Sequence, residues 1–140
     1  MAPKKSALDS EMVHRFVYDA HSDFESVKAL LDKEPALVNA CWDWGGGDWE
    51  TGLGAAAHMG RRDIAEYLLQ HGARIDLYAA AMLGKLSVVQ AVLADNLSEK
   101  DKPGPHGISL MAHARKGGKE AAEVVKLLRS LDKKPKNQEN

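Results

Sequence analysis

The sequence is poor in the features that hold small secreted proteins together or fix a protein in a membrane. Cys41 is the only cysteine among the 140 residues, so no disulfide can form within the chain. Nowhere do about 18 apolar residues follow one another, which excludes a transmembrane helix of ordinary length. No apolar stretch follows the start Met1–Lys5, and no secretory signal is visible. We expect a cytoplasmic protein; a periplasmic location stays open if an export signal has been removed.

The chain also lacks a net charge that would attract nucleic acid or a membrane. The formal net charge is -1, but the charges are unevenly placed. Residues 9–50 hold ten acidic and three basic side chains, whereas residues 115–136 hold eight basic and three acidic ones. We expect a monomer that binds neither nucleic acid nor a membrane. Head-to-tail self-association of the oppositely charged ends is an open alternative.

Motifs for nucleophilic catalysis, phosphate binding and zinc binding are missing from the sequence. There is no G-x-S-x-G motif, and Cys41 has no adjacent positive charge to activate it. The glycines at 45–47 are flanked by acidic residues and are not followed by the Lys-Ser or Lys-Thr of a phosphate-binding loop. No two histidines lie four residues apart, as a helical zinc site would require. We therefore expect no catalytic residue, no metal site and no cofactor.

What the sequence does contain is a repeated pattern of two short helices. In the clearest copy, an alanine-rich segment near Gly54–Met59 ends at Gly60, and an amphipathic segment from about Arg61 to His71 ends at Gly72. One such pair cannot bury its apolar face alone, so the pairs must stack into a solenoid. We predict an all-α domain over residues 10–132 between disordered tails at 1–9 and 133–140. The predicted units are about 10–40, 48–74, 75–97 and 105–131.

The second unit resembles the ankyrin repeat, whose pattern runs T-P-L-H-x-A-A-x-x-G, then a V-x-x-L-L helix and G-A. The matching residues are Thr51, Leu53, Ala56, Ala57, Gly60, Leu68, Leu69, Gly72 and Ala73. Gly52 and Gly54 replace the proline and histidine of that pattern. The resemblance implies an ankyrin-repeat solenoid that binds a protein partner of unknown identity and catalyses no reaction. A Trp/Gly-rich first finger and a G-P-H-G loop make the chain similar to a subfamily of small bacterial ankyrin-repeat proteins.

The spacing of the turn residues predicts two enlarged loops and one shortened loop. Gly84 and Gly117 are 33 residues apart, which is the family period, whereas Gly60 and Gly84 are only 24 apart. The finger between the second and third units is therefore cut short. The enlarged loops are residues 41–50, with three tryptophans and three glycines, and residues 98–107.

The tryptophan-rich loop and the concave face of the solenoid are the predicted partner-binding surface. Tryptophan gives a large contact area at low entropic cost and is enriched in binding hot spots. The loop contributes Trp42, Asp43, Trp44, Asp48, Trp49 and Glu50, and the groove contributes His58, Met59, Met82, Leu83, His106, Arg115 and Lys116. Two structural alternatives stay open. One or two of the indoles could instead cap neighbouring helix pairs, and Met82 and Leu83 could be packed under an adjacent loop.

A small-molecule or metal-dependent enzyme is the second function hypothesis. Its site would lie where Asp48, Glu50, His58 and His106 meet, because the finger of the fourth unit overhangs earlier units. His113 is a further candidate for this cluster. The alternative for His113 is a hydrogen bond to a loop carbonyl at the edge of the core.

Overall fold

A computed structural model of the chain describes residues 5–132, in which eight α-helices form four helix–turn–helix pairs. The first helices of the four pairs contact one another in succession, and each second helix packs on its own partner. This arrangement confirms the predicted all-α solenoid of stacked helix pairs. The helices are α1 Ser10–Asp19, α2 Phe24–Lys33, α3 Gly52–His58, α4 Arg62–Gln70, α5 Leu77–Leu83, α6 Leu86–Asp95, α7 Leu110–Lys116 and α8 Ala122–Asp132.

Short side-chain caps and small residues explain why the chain forms such short helices. The first helix of every pair is capped by a side-chain oxygen that accepts a backbone N–H from the first turn. These caps are Asp9, Thr51, Asp76 and Ser109. Alanine fills the interiors of α3 and α5, and all of those alanines are buried. The small side chains let the first helices pack closely in the middle of the stack.

Four 3-10 helices and one hairpin connect the α-helices. The 3-10 helices are Pro35–Asn39, Leu97–Asp101, Pro105–Gly107 and Gly118–Ala121. The loop predicted at 41–50 is an antiparallel hairpin of β1 Cys41–Asp43 and β2 Trp49–Thr51, in which Trp42 lies opposite Glu50. We call residues 41–51 the tryptophan hairpin. Its turn is stable because the Asp43 carboxylate accepts the backbone N–H groups of Gly45 and Gly47.

Close backbone contacts between α5 and the last pair make two glycines necessary. Gly84 ends α5 in the left-handed conformation, with φ 77°, and a Cβ there would clash with the Glu120 carbonyl. A Cβ on Gly117 would clash with the Met82 carbonyl. The 33-residue spacing of these two glycines therefore marks the place where the third and fourth units touch.

Met82 and Leu83 are buried, so the prediction that they are exposed in the groove is wrong. Met82 is 0% exposed and Leu83 7%. The turn at Gly117 packs over them, and the Arg62 guanidinium donates to the carbonyls of both residues. Both side chains belong to the buried core that α5 shares with α1–α4.

Of the two predicted tails, only residues 5–9 are among those that the structure describes. Residues 5–9 have no regular secondary structure, but Leu8 packs against the core and Asp9 caps α1. The rest of the predicted tails, residues 1–4 and 133–140, lies outside the described residues. Between residues 5 and 132, no helix combines the length and the apolar character needed to cross a bilayer.

Candidate functional site

The side chains of the tryptophan hairpin alternate between a face that lies against the helices and a face that is turned to solvent. Neighbouring residues of a strand point to opposite faces. Trp42 and the opposing Glu50 face the helices, and Glu50 is only 1% exposed. Trp49 faces outward and is 59% exposed. One of the three predicted contact tryptophans is therefore open to solvent, while Trp42 and Trp44 pack against the core.

The two inward tryptophans are held by specific contacts. Trp42 stacks on His14 with ring centroids 4.7 Å apart. The indole N–H of Trp44 donates to Glu50 Oε1 at 3.0 Å. These contacts favour the structural alternative for both residues, since both indoles lie against His14 of α1.

Glu50 lies at the centre of a group of three histidines from separate parts of the chain. Its Oε1 is 3.2 Å from His21 Nε2 and 3.2 Å from His106 Nε2, and its Oε2 is 3.1 Å from His58 Nε2. His21 follows α1, His58 ends α3, and His106 lies in the loop before α7. We call these four residues the Glu50 cluster.

The loop that carries His106 is held at the cluster by Asp48 of the tryptophan hairpin. Asp48 binds this loop twice, accepting the backbone N–H of His106 at 2.8 Å and facing its Nδ1 at 2.9 Å. His106 has φ 60°, the only positive φ of a non-glycine residue within residues 5–132. Such a conformation costs about 1 kcal/mol or more. Asp48 offsets this cost and fixes the direction of the imidazole.

The cluster is electrostatically balanced around a buried carboxylate. Burial would raise the pKa of Glu50, but the imidazoles of His21 and His58 outweigh it and lower that pKa from 4.5 to about 2. Burial would lower the pKa of His21, but its hydrogen bond to Glu50 and to the Tyr18 carbonyl raises it above the usual value. Glu50 is therefore a carboxylate at neutral pH, held among groups that carry or can accept positive charge.

The structure brings together the four residues of the enzyme hypothesis, Asp48, Glu50, His58 and His106. Sequence reasoning missed the role of His21. The sequence does contain a clue to this role. His21 and His58 occupy similar positions in adjacent units, each within two residues of the turn residue that follows the first helix. His113 does not join the cluster. It is fully buried in α7, and its Nδ1 faces the Ser109 carbonyl at 2.7 Å.

A cleft of about 300 Å³ lies beside the Glu50 cluster and opens it to solvent on one side. It is lined by Tyr18, His21, Ser22, Trp44 and His106. The remaining predicted contact residues are exposed: Met59, after α3, is 44% exposed, and Arg115 and Lys116 are exposed at the end of α7. That these residues line one groove with the hairpin stays a prediction.

Comparison with protein families finds a similarity over part of the chain. Residues 13–69 match the model of the family described as ankyrin repeats (many copies). This segment runs from α1 into α4 and includes the tryptophan hairpin. A search of curated proteins found no match to the chain. Ankyrin repeats are generally protein-interaction modules. Residues 13–69 are thus similar to ankyrin repeats, and the two later helix pairs continue the same solenoid.

Proposed function

We propose that the chain is a protein-interaction module that binds its partner with the outward face of the tryptophan hairpin, with Trp49 as the central contact. The observation that carries this proposal is the 59% exposure of the Trp49 side chain on a hairpin whose other two tryptophans pack against the core. Burying a large aromatic side chain removes up to about 200 Å² from water. Residues of this type dominate the energy of protein interfaces.

The hairpin presents Trp49 on a rigid support. Behind it, Trp44 is bonded to Glu50 and Trp42 is stacked on His14. At its tip, Asp43 holds the glycine turn through two backbone N–H groups. A preordered contact loses little conformational entropy on binding, so more of the contact energy contributes to affinity.

Charge indicates the kind of surface that the hairpin would contact. Asp43 is the cross-strand neighbour of Trp49, and residues 9–50 hold ten acidic side chains against three basic ones. A partner with a basic rim around an apolar pocket complements this face. Met59 and the basic end of α7 would extend the contact along the concave side.

The test compares Trp49→Ala with Leu97→Ala, a change at another exposed apolar side chain, 51% exposed, in a different element. Proteins captured by each variant are quantified by mass spectrometry, and the affinity of a captured protein is measured by calorimetry. We expect Trp49→Ala to weaken binding at least about tenfold, with a stability change within about 0.5 kcal/mol. Leu97→Ala should bind as the wild type does.

Equal binding by the wild type and Trp49→Ala contradicts the proposal. Charge-driven self-association, the alternative predicted from the sequence, has a separate signature. It gives a particle mass in light scattering that rises with protein concentration and falls when salt is added, because exposed charges are screened.

A further inference from the structure

We propose that the Glu50 cluster, His21, Glu50, His58 and His106, is a binding site for a divalent transition metal ion, with Zn²⁺ as the best fit. One donor atom from each residue can be chosen so that all four lie within 4.8 Å of one another. This proposal goes beyond partner binding and does not depend on it. It also replaces the expectation from the sequence that the chain holds no metal.

The distances from Glu50 to its three histidines match the ligand spacing around a tetrahedral ion. Zinc binds imidazole nitrogen and carboxylate oxygen at about 2.0–2.1 Å, so neighbouring ligand atoms of a tetrahedron are about 3.3 Å apart. The Glu50 oxygens lie 3.2, 3.1 and 3.2 Å from the Nε2 atoms of His21, His58 and His106. The four donor atoms are spread over as much as 4.8 Å, so the histidine side chains would have to move closer together around the ion.

The outer nitrogens of two histidines are fixed in the way that metal sites require. His21 Nδ1 lies 3.0 and 2.9 Å from the carbonyls of Val17 and Tyr18, which can only accept a hydrogen bond. His106 Nδ1 lies 2.9 Å from the Asp48 carboxylate. Each Nδ1 therefore carries a hydrogen, and a metal ion that displaces the Nε2 hydrogen would meet a lone pair directed at the centre of the cluster. A carboxylate or carbonyl on the far nitrogen is the usual support of a metal-binding histidine.

Two buried atoms in the cluster have no hydrogen-bond partner. Glu50 Oε2 and His58 Nε2 are 3.1 Å apart, but neither makes an aligned hydrogen bond. Buried polar atoms are normally satisfied, because an unpaired one costs about 1–3 kcal/mol. A cation bound to both atoms would satisfy them together.

The donor set decides the class of ion. Calcium and magnesium prefer sites made of oxygen atoms, whereas imidazole nitrogen suits zinc, copper, iron and nickel. Three imidazoles and one carboxylate therefore favour Zn²⁺. The adjacent cleft, lined by His21 and His106, gives an ion a path from solvent to the cluster.

A metal at this place would join three units of the solenoid. His21 belongs to the first unit, Glu50 and His58 flank α3 of the second, and His106 belongs to the loop that leads into the fourth. Because the ligands are scattered in this way, the folded chain binds the ion much better than the unfolded chain does. Zn²⁺ should therefore raise the melting temperature.

The experiment titrates ZnCl₂ into metal-free protein without a polyhistidine tag, by calorimetry, with CoCl₂ absorption as a second readout. We expect one ion per chain and the visible bands of tetrahedral Co²⁺. His58→Gln and His106→Gln, which each remove one ligand, should weaken Zn²⁺ binding more than about 100-fold. Asp48→Asn, which loosens the support of His106, should weaken it by about 10–100-fold.

The matched control is His71→Gln, a change at an exposed histidine whose Nδ1 faces the Tyr67 carbonyl outside the cluster. It should bind Zn²⁺ as the wild type does, and so should Trp49→Ala. Circular dichroism of the metal-free variants checks their fold, and His106→Gln, in an exposed loop, is the variant least dependent on core packing. No saturable binding by the wild type, or unchanged binding by a folded His106→Gln, overturns the proposal.

Discussion

Glu50 shows what a buried carboxylate requires of its surroundings. A carboxylate removed from water is unfavourable unless hydrogen bonds and opposite charges replace the lost hydration. Here an indole N–H and three imidazoles surround it. Because these partners come from different units, one side chain links parts of the chain that are far apart in sequence.

We expect Glu50→Gln to destabilise the metal-free protein by about 3 kcal/mol, since removing one partner of a buried charged group leaves the others uncompensated. Urea unfolding followed by circular dichroism measures this change. Glu66→Gln is the control, because the Glu66 side chain is 54% exposed and its ion pair with Arg62 is on the surface. The control should change stability by less than about 0.5 kcal/mol. Equal effects of both changes would contradict this account of Glu50.

His113 gives a prediction of pH dependence at the residue scale. Burial lowers the pKa of His113 below its usual 6.5. As the pH falls through 6.5, the unfolded chain therefore takes up a proton before the folded chain does, and stability is lost. The melting temperature of His113→Leu should fall less between pH 7.5 and 5.5 than that of the wild type. Identical pH slopes in thermal melts of the two proteins would show that His113 does not contribute.

At the scale of elements, helices and turns could be predicted from the sequence, whereas the hairpin could not. The alanine-rich segment ending at Gly60 and the apolar spacing in α4 are local signals, and both helices lie within two residues of their predicted bounds. The hairpin pairs only three residues on each strand. So short an alternation, interrupted by glycines, is easily taken for a loop.

Two glycines with positive φ differ in how closely other residues pack against them. Gly84 and Gly72 both have positive φ, but a Cβ would clash with the Glu120 carbonyl only at Gly84 and meets nothing within 4 Å at Gly72. Gly72→Ala should lower the free energy of unfolding by about 1 kcal/mol, because the left-handed conformation is unfavourable for alanine by about that amount. Gly84→Ala should lower the free energy of unfolding by clearly more, because the new Cβ also forces the last helix pair to move. Equal losses in chemical denaturation would contradict this packing argument.

At the scale of the whole molecule, stacking could be predicted, but the composition of the Glu50 cluster could be predicted only in part. Repeat spacing indicates which unit neighbours which, and it also indicates a shortened third finger. It does not indicate that His106 turns back to meet Asp48, 58 residues earlier in the chain. That contact depends on a left-handed backbone at His106 and on how closely the two loops approach in the folded chain. Neither can be predicted from the repeat spacing.

The bridge from the fourth unit to the tryptophan hairpin has a consequence for how the molecule comes apart. In an ordinary repeat array each unit touches only its neighbours, so the last unit can fray while the rest stays folded. Here the loop at Pro105–Gly107 passes over the third unit and is bonded to Asp48. Loss of the last helix pair would therefore also release the hairpin at the other side of the stack. We therefore expect the array to unfold in a single cooperative step and not unit by unit from its end.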